Sequence, residues 1–113
     1  MSCEYSAVLL VGLPCDEMNY DELLVETDEE GNVIEEIYSN ITDLLESNGA
    51  QVFSCYYDYS GNDVGGFVIK ESPDYWFSEI DLETLSDKIE KAKKDFFELT
   101  GQEGKLILTT YGR

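Results

Sequence analysis

Residues 5–13 read YSAVLLVGL, an almost continuous apolar run that is closed by Pro14. An apolar run of this length without polar alternation predicts a β-strand that is buried on both faces. A strand of that kind lies in the middle of a sheet, where neighbouring strands and both covering layers exclude water. The remaining segments are therefore interpreted as partners of this strand.

Three later segments are candidates for the other strands. Residues 51–59 and 64–70 alternate or run apolar on either side of the turn sequence SGND, which predicts an antiparallel pair with a tight connection. Within the second of these strands, the pair Gly65-Gly66 predicts a bulge or a close approach between backbones. Residues 105–111, KLILTTY, predict a last strand.

Two amphipathic helices are expected between the strands. The first has an N-cap at Asn32 and a left-handed stop at Asn48-Gly49. Its apolar stripe, at spacings of three and four, consists of Val33, Ile34, Ile37, Ile41, Leu44 and Leu45. The second is capped by Asp81 and ends at Gly101. Its stripe consists of Leu82, Leu85, Ile89, Ala92, Phe96 and Leu99.

The order of these elements is β-α-β-β-α-β. This order predicts an α+β fold of the ferredoxin-like, split βαβ type, with two helices on one face of a four-stranded antiparallel sheet. Residues 15–31 stay open, because DELLVET fits a short helix or a strand and TDEEGN is typical of a turn. A strand at residues 23–27 would add a hairpin to the pattern. A fold shared by so many functions implies none of them.

The charge of the chain is strongly asymmetric. Residues 1–69 contain 15 acids and no Lys, Arg or His, whereas residues 70–113 contain 10 acids and 7 bases. The net charge of −18 goes well beyond the magnitude of roughly 2 to 8 that keeps a small domain soluble. Because 42% of the residues are hydrophobic, the chain is expected to fold as a single acidic α+β domain over residues 1–113 rather than as a disordered tail.

The cysteine content and the charge narrow the setting and the partners. Cys3, Cys15 and Cys55 lack paired spacing, which predicts reduced thiols in a cytoplasmic protein without a zinc site. The apolar run 7–13 is too short for a membrane span and lacks a preceding basic region. The excess of carboxylates argues against direct binding of nucleic acids or anionic lipids. We expect no cofactor, no membrane association, and a monomer or homodimer.

The sequence offers little for catalysis, so we expect a protein that is not an enzyme. It has no His for proton transfer near neutral pH, and its one Arg is the terminal Arg113. No nucleophile motif and no glycine-rich phosphate loop is present. An EF-hand-like spacing of acids begins at Glu26, but the twelfth position is Ile37 instead of the required Glu, so we expect no metal site.

The acidic residues of the first half, with neighbouring aromatic side chains, are the candidate binding surface. Acids such as Asp43 and Glu46 near the end of the predicted first helix do not favour that helix, which points to another role. Tyr56 and its neighbour Tyr57 must point to opposite faces of their strand, so one of them is expected to face outward. The candidate partner-binding residues are Asp21, Glu22, Asp28, Glu29, Glu30, Glu35, Glu36, Asp43, Glu46, Tyr56 and Asp58.

These features predict a small non-catalytic binding protein that docks on a basic surface of another protein and inhibits it. Because grooves that bind nucleic acids are among the most basic protein surfaces, the sharper form is a mimic of the phosphate backbone. In charge and size the chain resembles the anti-defence inhibitors that phages carry, which block restriction or CRISPR effectors. That resemblance implies a nucleic-acid enzyme or effector as the partner.

Three alternatives remain open at this point. A ligand-sensing or regulatory domain would bind a small molecule, or form a dimer, through the sheet face near Tyr57 and Tyr59. An enzyme using Cys15 or Cys55 would require an unusually reactive thiol. A surface that is acidic only for solvation would have no partner, although the balanced charges of the second helix, with Lys88, Lys91, Lys93 and Lys94, favour a selected acidic face.

Overall fold

The computed structural model describes residues 5–20, 23–54, 63–72 and 79–112. The described elements are, in chain order, β1 (Tyr5–Pro14), a 3₁₀ turn (Cys15–Glu17), β2 (Val25–Thr27), β3 (Val33–Glu36), α1 (Ile41–Ser47), β4 (Gln51–Ser54), β5 (Asp63–Ser72), α2 (Leu82–Thr100) and β6 (Lys105–Gly112). Neither described helix combines the length and the apolar character that a membrane span requires.

Four strands form one antiparallel sheet in the spatial order β4-β5-β1-β6, and β2 pairs with β3 in a separate sheet. For the described residues, this confirms an α+β fold with two helices and a four-stranded antiparallel sheet. The β2–β3 hairpin is an addition to the β-α-β-β-α-β pattern. Its first strand lies within residues 23–27, where the sequence allowed a strand as an alternative. The described chain therefore has six strands rather than four.

Strand β1 is the central strand that its sequence predicts. It pairs with β5 along one edge and with β6 along the other. Val8 and Leu10 on one face and Val11 on the other are fully buried. Because alternate residues point to opposite faces, this burial means that both sides of β1 are covered.

Both helices contribute to the core on one face of the sheet. Leu45 of α1 and Phe96 of α2 are fully buried and meet Leu13 of β1 in one cluster, which also includes Met18 and Ala50. Helix α2 packs mainly on β5 and β1, whereas α1 packs on β4 and β5. The two helices thus cover neighbouring parts of the same sheet face.

The opposite face contains a second core. Its buried residues are Val8, Leu10, Phe53 and Val64, against which Val68 and Ile107 pack. Strands β4 and β6 stand at the two ends of the sheet order, yet some of their Cα atoms come within 8 Å of each other. In a flat sheet neighbouring strands lie about 4.8 Å apart, so β4 and β6, with two strands between them, would be much farther apart than 8 Å. The sheet is therefore strongly coiled.

Glycines allow β1 and β5 to approach closely within this coiled sheet. Gly12 lies opposite Gly66 in the antiparallel register. A Cβ atom added to Gly66 would lie 2.6 Å from the Cα of Gly12, closer than non-bonded carbon atoms approach. The close approach predicted for Gly65-Gly66 is confirmed, and the irregularity in this pair of strands falls between Leu9 and Leu10.

The first helix is shorter than the hydrophobic periodicity predicted. Residues 33–36 form strand β3, and α1 begins at Ile41 with Asn40 as its N-cap. The predicted start of the first helix after Asn32 is wrong. The β-branched residues that follow Asn32 come directly after a tight turn and pair antiparallel with β2 as strand β3. The predicted stop is confirmed, since Gly49 has a positive φ of 84°.

The second helix agrees closely with its prediction. The Asp81 carboxylate accepts a hydrogen bond from the Glu83 amide at 2.9 Å, and Gly101 ends the helix in the left-handed conformation. Ala92 and Phe96 are buried as expected. Leu82 is the exception, because it lies in the first turn and is 81% exposed.

Candidate functional site

The β2–β3 hairpin concentrates the acidic candidates on an exposed arm. Residues 26–36 contain six carboxylates and no basic residue, and every residue from 26 to 37 is exposed. The candidates that lie on this arm are Asp28, Glu29, Glu30, Glu35 and Glu36. They form one continuous acidic surface, although on a hairpin rather than on the predicted helix.

The Asp28 carboxylate organises the turn of the hairpin. Its Oδ1 atom accepts hydrogen bonds from the amides of Glu30 and Asn32, each at 2.9 Å. The Gly31 amide donates to the Asp28 carbonyl at 3.1 Å, and the positive φ of 86° at Gly31 turns the chain into β3. The hydrogen bonds that the carboxylate accepts, of which the one from the Asn32 amide contributes most, lower the pKa of Asp28.

Removal of the Asp28 carboxylate is expected to open the hairpin. In Asp28→Ala the amides of residues 30 and 32 lose their acceptor, so amide exchange in β2 and β3 should quicken and cross-strand NMR contacts should weaken. Asp28→Asn, which keeps one acceptor oxygen, is the matched control and should retain more of the hairpin. Unchanged amide exchange in Asp28→Ala would mean that the turn does not depend on this side chain.

The same turn should respond to pH. The pKa of Asp28 is lower in the folded hairpin than its ordinary value of 3.8. The Asp28 carboxylate therefore stabilises the turn fully above pH 3.8, and this stabilisation is lost as the pH falls through the lower pKa of the folded state. On acidification below that value in the wild type, the amides of residues 30 and 32, which donate to this carboxylate, should therefore lose their protection from exchange. In Asp28→Ala this acid-dependent step should be absent.

The pairing of β2 with β3 places like charges opposite each other. Glu26 and Glu35 are cross-strand partners in the register of the hairpin. Directly opposed like charges destabilise an antiparallel pair, and opposite charges at the same positions would stabilise it. The hairpin therefore carries a charge arrangement that does not serve its own stability.

The base of the hairpin is tied to the rest of the chain. The amides of Ile37 and Tyr38 donate to the Leu24 carbonyl at 2.8 and 3.0 Å. The Asn48 side chain then donates to the Tyr38 hydroxyl at 3.2 Å and to the Leu44 carbonyl at 2.7 Å. The arm is thus held at its base by α1 while its strands and turn remain exposed to solvent.

Apolar side chains accompany the acids on the arm. Val33 and Ile34 are 64% and 63% exposed, and Ile37 is about half exposed. The sequence pattern assigned these three residues to a buried helical stripe, so their role as exposed residues was missed. The signal that could have found them is the turn sequence TDEEGN between two short β-branched segments.

Asp43 and Glu46 lie apart from the hairpin, on α1. Asp43 occupies the first turn, where its amide donates to the Asn40 side chain at 2.8 Å and its carboxylate accepts from the Ser39 amide at 3.1 Å. This reciprocal capping explains the placement of Asp43, which the longer predicted helix had made unfavourable. Glu46 is exposed near the end of α1. The predicted first helix, which would have run from Asn32 to Asn48, included Glu35, Glu36, Asp43 and Glu46. In the structure Glu35 and Glu36 lie on β3 instead, so the four acids do not share a helix.

The remaining candidates, Asp21, Glu22, Tyr56 and Asp58, lie outside the described residues. The same holds for Tyr57 and Tyr59, the residues that the ligand-sensing alternative uses. Within the described parts of the chain, no group of three or more potential ligands could hold a metal ion. The EF-hand-like spacing belongs to the hairpin, where the Asp28 carboxylate is occupied by backbone amides.

Cys15 has the environment of an unreactive thiol. Burial, with the nearby charges of Asp63 and Asp16, raises its pKa from 9.0 to about 11. A thiol with so high a pKa is almost fully protonated near neutral pH, and the thiolate is the nucleophilic form. This environment gives no support to catalysis by Cys15.

The described surface also contains open pockets beside α2. The largest of those described, of about 410 Å³, is lined by Asn48, Phe67, Asp95, Glu98 and Leu99. It is open to solvent and brings two carboxylates next to apolar side chains. Nothing in its lining selects a particular small molecule, so the hairpin remains the best-defined candidate site.

Comparisons of the chain with protein-family models, with curated proteins and with solved structures find no match. The hairpin, with its charges and its exposed apolar side chains, is therefore the feature of this chain that bears most directly on function.

Proposed function

We propose that this chain is a small non-catalytic binding protein that docks its β2–β3 hairpin on a basic surface of another protein and inhibits that protein. The observation that carries the proposal is the cross-strand pair Glu26 and Glu35 on an arm that is exposed throughout and contains no base. Two opposed carboxylates become favourable neighbours when a Lys or Arg of a partner lies between them.

The exposed apolar residues of the arm support a protein as the partner. Val33, Ile34 and Ile37 provide area that a protein surface can bury, while the surrounding carboxylates orient the contact. A charged rim around an apolar centre is the usual anatomy of a protein interface. Direct binding to nucleic acid is disfavoured because six carboxylates in residues 26–36 would repel phosphates.

A surface that normally binds nucleic acid is the partner surface that fits best. Such surfaces collect Lys and Arg to neutralise phosphates, so an acidic arm competes for the same groups. The chain would then act as a nucleic-acid mimic in the cytoplasm, similar in charge and size to phage anti-defence inhibitors. Inhibition follows from occupation of the groove and requires no chemistry from the chain.

The proposal extends to the class of the fold. We assign the chain to the ferredoxin-like, split βαβ arrangement with the β2–β3 hairpin inserted between the first strand and the first helix. The sheet order β4-β5-β1-β6 supports this assignment. In this arrangement the sheet and helices are the scaffold, and the inserted hairpin is the binding element.

Capture of partners from host lysate tests the function. Immobilised wild type should retain a basic nucleic-acid-binding protein that is released at high salt and displaced by added DNA or RNA. Glu26→Lys/Glu35→Lys should lose that protein by roughly a hundredfold or more in affinity, since two attractive contacts become repulsive. This double variant keeps a like-charged cross-strand pair, so the hairpin itself should be as stable as before.

The matched control is Glu79→Lys/Asp87→Lys, which makes the same change in net charge at exposed positions outside the hairpin. This control should retain the partner nearly as well as wild type. Equal loss in both double variants would show that only net charge matters and would contradict docking by the hairpin. Retention of the partner by Glu26→Lys/Glu35→Lys would contradict it directly.

A further inference from the structure

A second exposed apolar surface is formed by residues of α2 and β6, outside the hairpin. We call it the α2–β6 face and define it by Phe97, Leu106 and Leu108. These side chains are 52%, 53% and 74% exposed. Leu106 and Leu108 are next neighbours on one face of β6, and Phe97 lines an open pocket together with Gly104, the residue that precedes this strand. Exposed large apolar side chains that are grouped in this way mark interaction surfaces more often than isolated ones do.

The position of α2 leaves this face uncovered. Leu106 lies opposite Val11 and Leu108 opposite Leu9 in the register with β1, so both leucines point to the side of the sheet that carries the helices. Helix α2 packs mainly on β5 and β1 rather than on β6. The helix layer therefore ends before the last strand and leaves its leucines in solvent.

The charge of this part of the chain differs sharply from the rest. Residues 82–113 contain six acids and six bases, so they are neutral, whereas residues 1–81 contain 19 acids and one base and carry the entire charge of −18. An open pocket of about 260 Å³ beside Phe97 has lining residues of both signs, Glu90, Lys93, Lys94 and Glu103. The surroundings of the α2–β6 face are thus balanced as well as apolar.

We propose that the α2–β6 face is the contact surface between two copies of this chain. Two copies that each carry a charge of −18 repel one another in most orientations, and contact through residues 82–113 brings together the neutral parts. In a two-fold contact the same patch meets itself, so Lys93 or Lys94 of one copy can face Glu90 or Glu103 of the other. The apolar residues at the centre are then buried.

The proposal goes beyond the function of the hairpin and does not depend on it. The α2–β6 face contains no residue of the hairpin, so the dimer requires neither acidic arm. Two arms on one dimer would raise the avidity for a partner that presents two basic sites. The dimer and the docking of the hairpin can therefore fail or succeed separately.

Sedimentation velocity at increasing protein concentration tests the dimer. Wild type should be a dimer at about 100 µM, a concentration at which a small but specific interface is populated. Leu108→Lys should weaken dimerisation at least about tenfold, because it places like charges at the centre of the contact. Phe97→Lys is a second variant with the same expected result. If circular dichroism shows that one of the two variants does not fold, the other still tests the dimer.

Ile34→Lys is the matched control, because Ile34 is similarly exposed but lies on the hairpin. It should dimerise as well as wild type. Raising the salt concentration from about 50 mM to about 500 mM should preserve or strengthen the dimer by screening the repulsion between two acidic chains. A wild type that stays monomeric, or a dimer that weakens with salt and is lost in Ile34→Lys, would overturn the proposal.

Discussion

Replacement of Phe96 by alanine is expected to lower the free energy of unfolding by about 3–5 kcal/mol, a large part of the total stability of a small domain. Phe96 is fully buried and packs with Leu13, Met18, Leu45 and Ala50. Truncation would leave a cavity at the point where α1, α2 and the sheet meet. Because such a cavity closes only in part, both the transfer and the packing contributions are lost.

The neighbouring residue provides the control for this experiment. Phe97 follows Phe96 on the same helix but is 52% exposed, so Phe97→Ala should cost less than about 1 kcal/mol. Urea denaturation followed by circular dichroism measures both variants against wild type. Equal losses for the two variants would contradict the described orientation of α2 on the sheet.

Introduction of a side chain at Gly66 is the second large effect expected. In Gly66→Ala the new methyl group would lie 2.6 Å from the Cα of Gly12 and 2.7 Å from the carbonyl carbon of Val11. Since both contacts are with backbone, no side chain can rotate away, and β1 and β5 must separate. We expect a loss of about 3 kcal/mol or a failure to accumulate folded protein.

Gly101→Ala is the control for the glycine experiment. A Cβ atom at Gly101 would meet no atom within 4 Å, and the strain comes only from its positive φ of 74°. This variant should therefore lose about 1 kcal/mol, the usual difference between glycine and alanine at a helix stop. Thermal unfolding of the two variants compares them directly. A Gly66→Ala protein as stable as Gly101→Ala would contradict the close approach of β1 and β5.

The elements that sequence predicts well are those whose local and tertiary signals agree. The run 5–13 is apolar on both faces, and the structure buries both faces of β1. Helix α2 has a cap at Asp81, a long apolar stripe and a stop at Gly101, and all three agree with its bounds. In these segments only one secondary structure satisfies the pattern, so periodicity is sufficient.

The first helix shows why the same reasoning failed elsewhere. Val33, Ile34 and Ile37 have the spacing of a helical stripe with Ile41 and Leu44. That spacing contains no information on the turn at Asp28, which brings Val33 into a pair with Thr27 of β2. Turn chemistry at five residues outweighed a periodicity that spanned thirteen. The coiling of the sheet was equally hidden, because it is seen only in the approach of β4 and β6, which are distant in sequence.

The candidate site was predicted by composition but not by geometry. The absence of bases from residues 1–69 predicted an acidic surface in that half of the chain, and the exposed hairpin with its six carboxylates belongs to it. The pairing of Glu26 with Glu35 could not be predicted, because it requires the register of a hairpin that had been interpreted as a turn before a helix. Asp43, which the longer helix had made a binding candidate, has a capping role that accounts for its position.

The most direct test of docking by the hairpin is the association rate of the captured partner with wild type and with Glu26→Lys/Glu35→Lys, measured at about 50 mM and about 300 mM salt. Docking by the acidic hairpin predicts fast association of wild type at low salt, a steep fall at high salt, and a slower rate with a weaker salt dependence for the variant. Equal rates with the same salt dependence for both proteins would contradict the hairpin as the binding element.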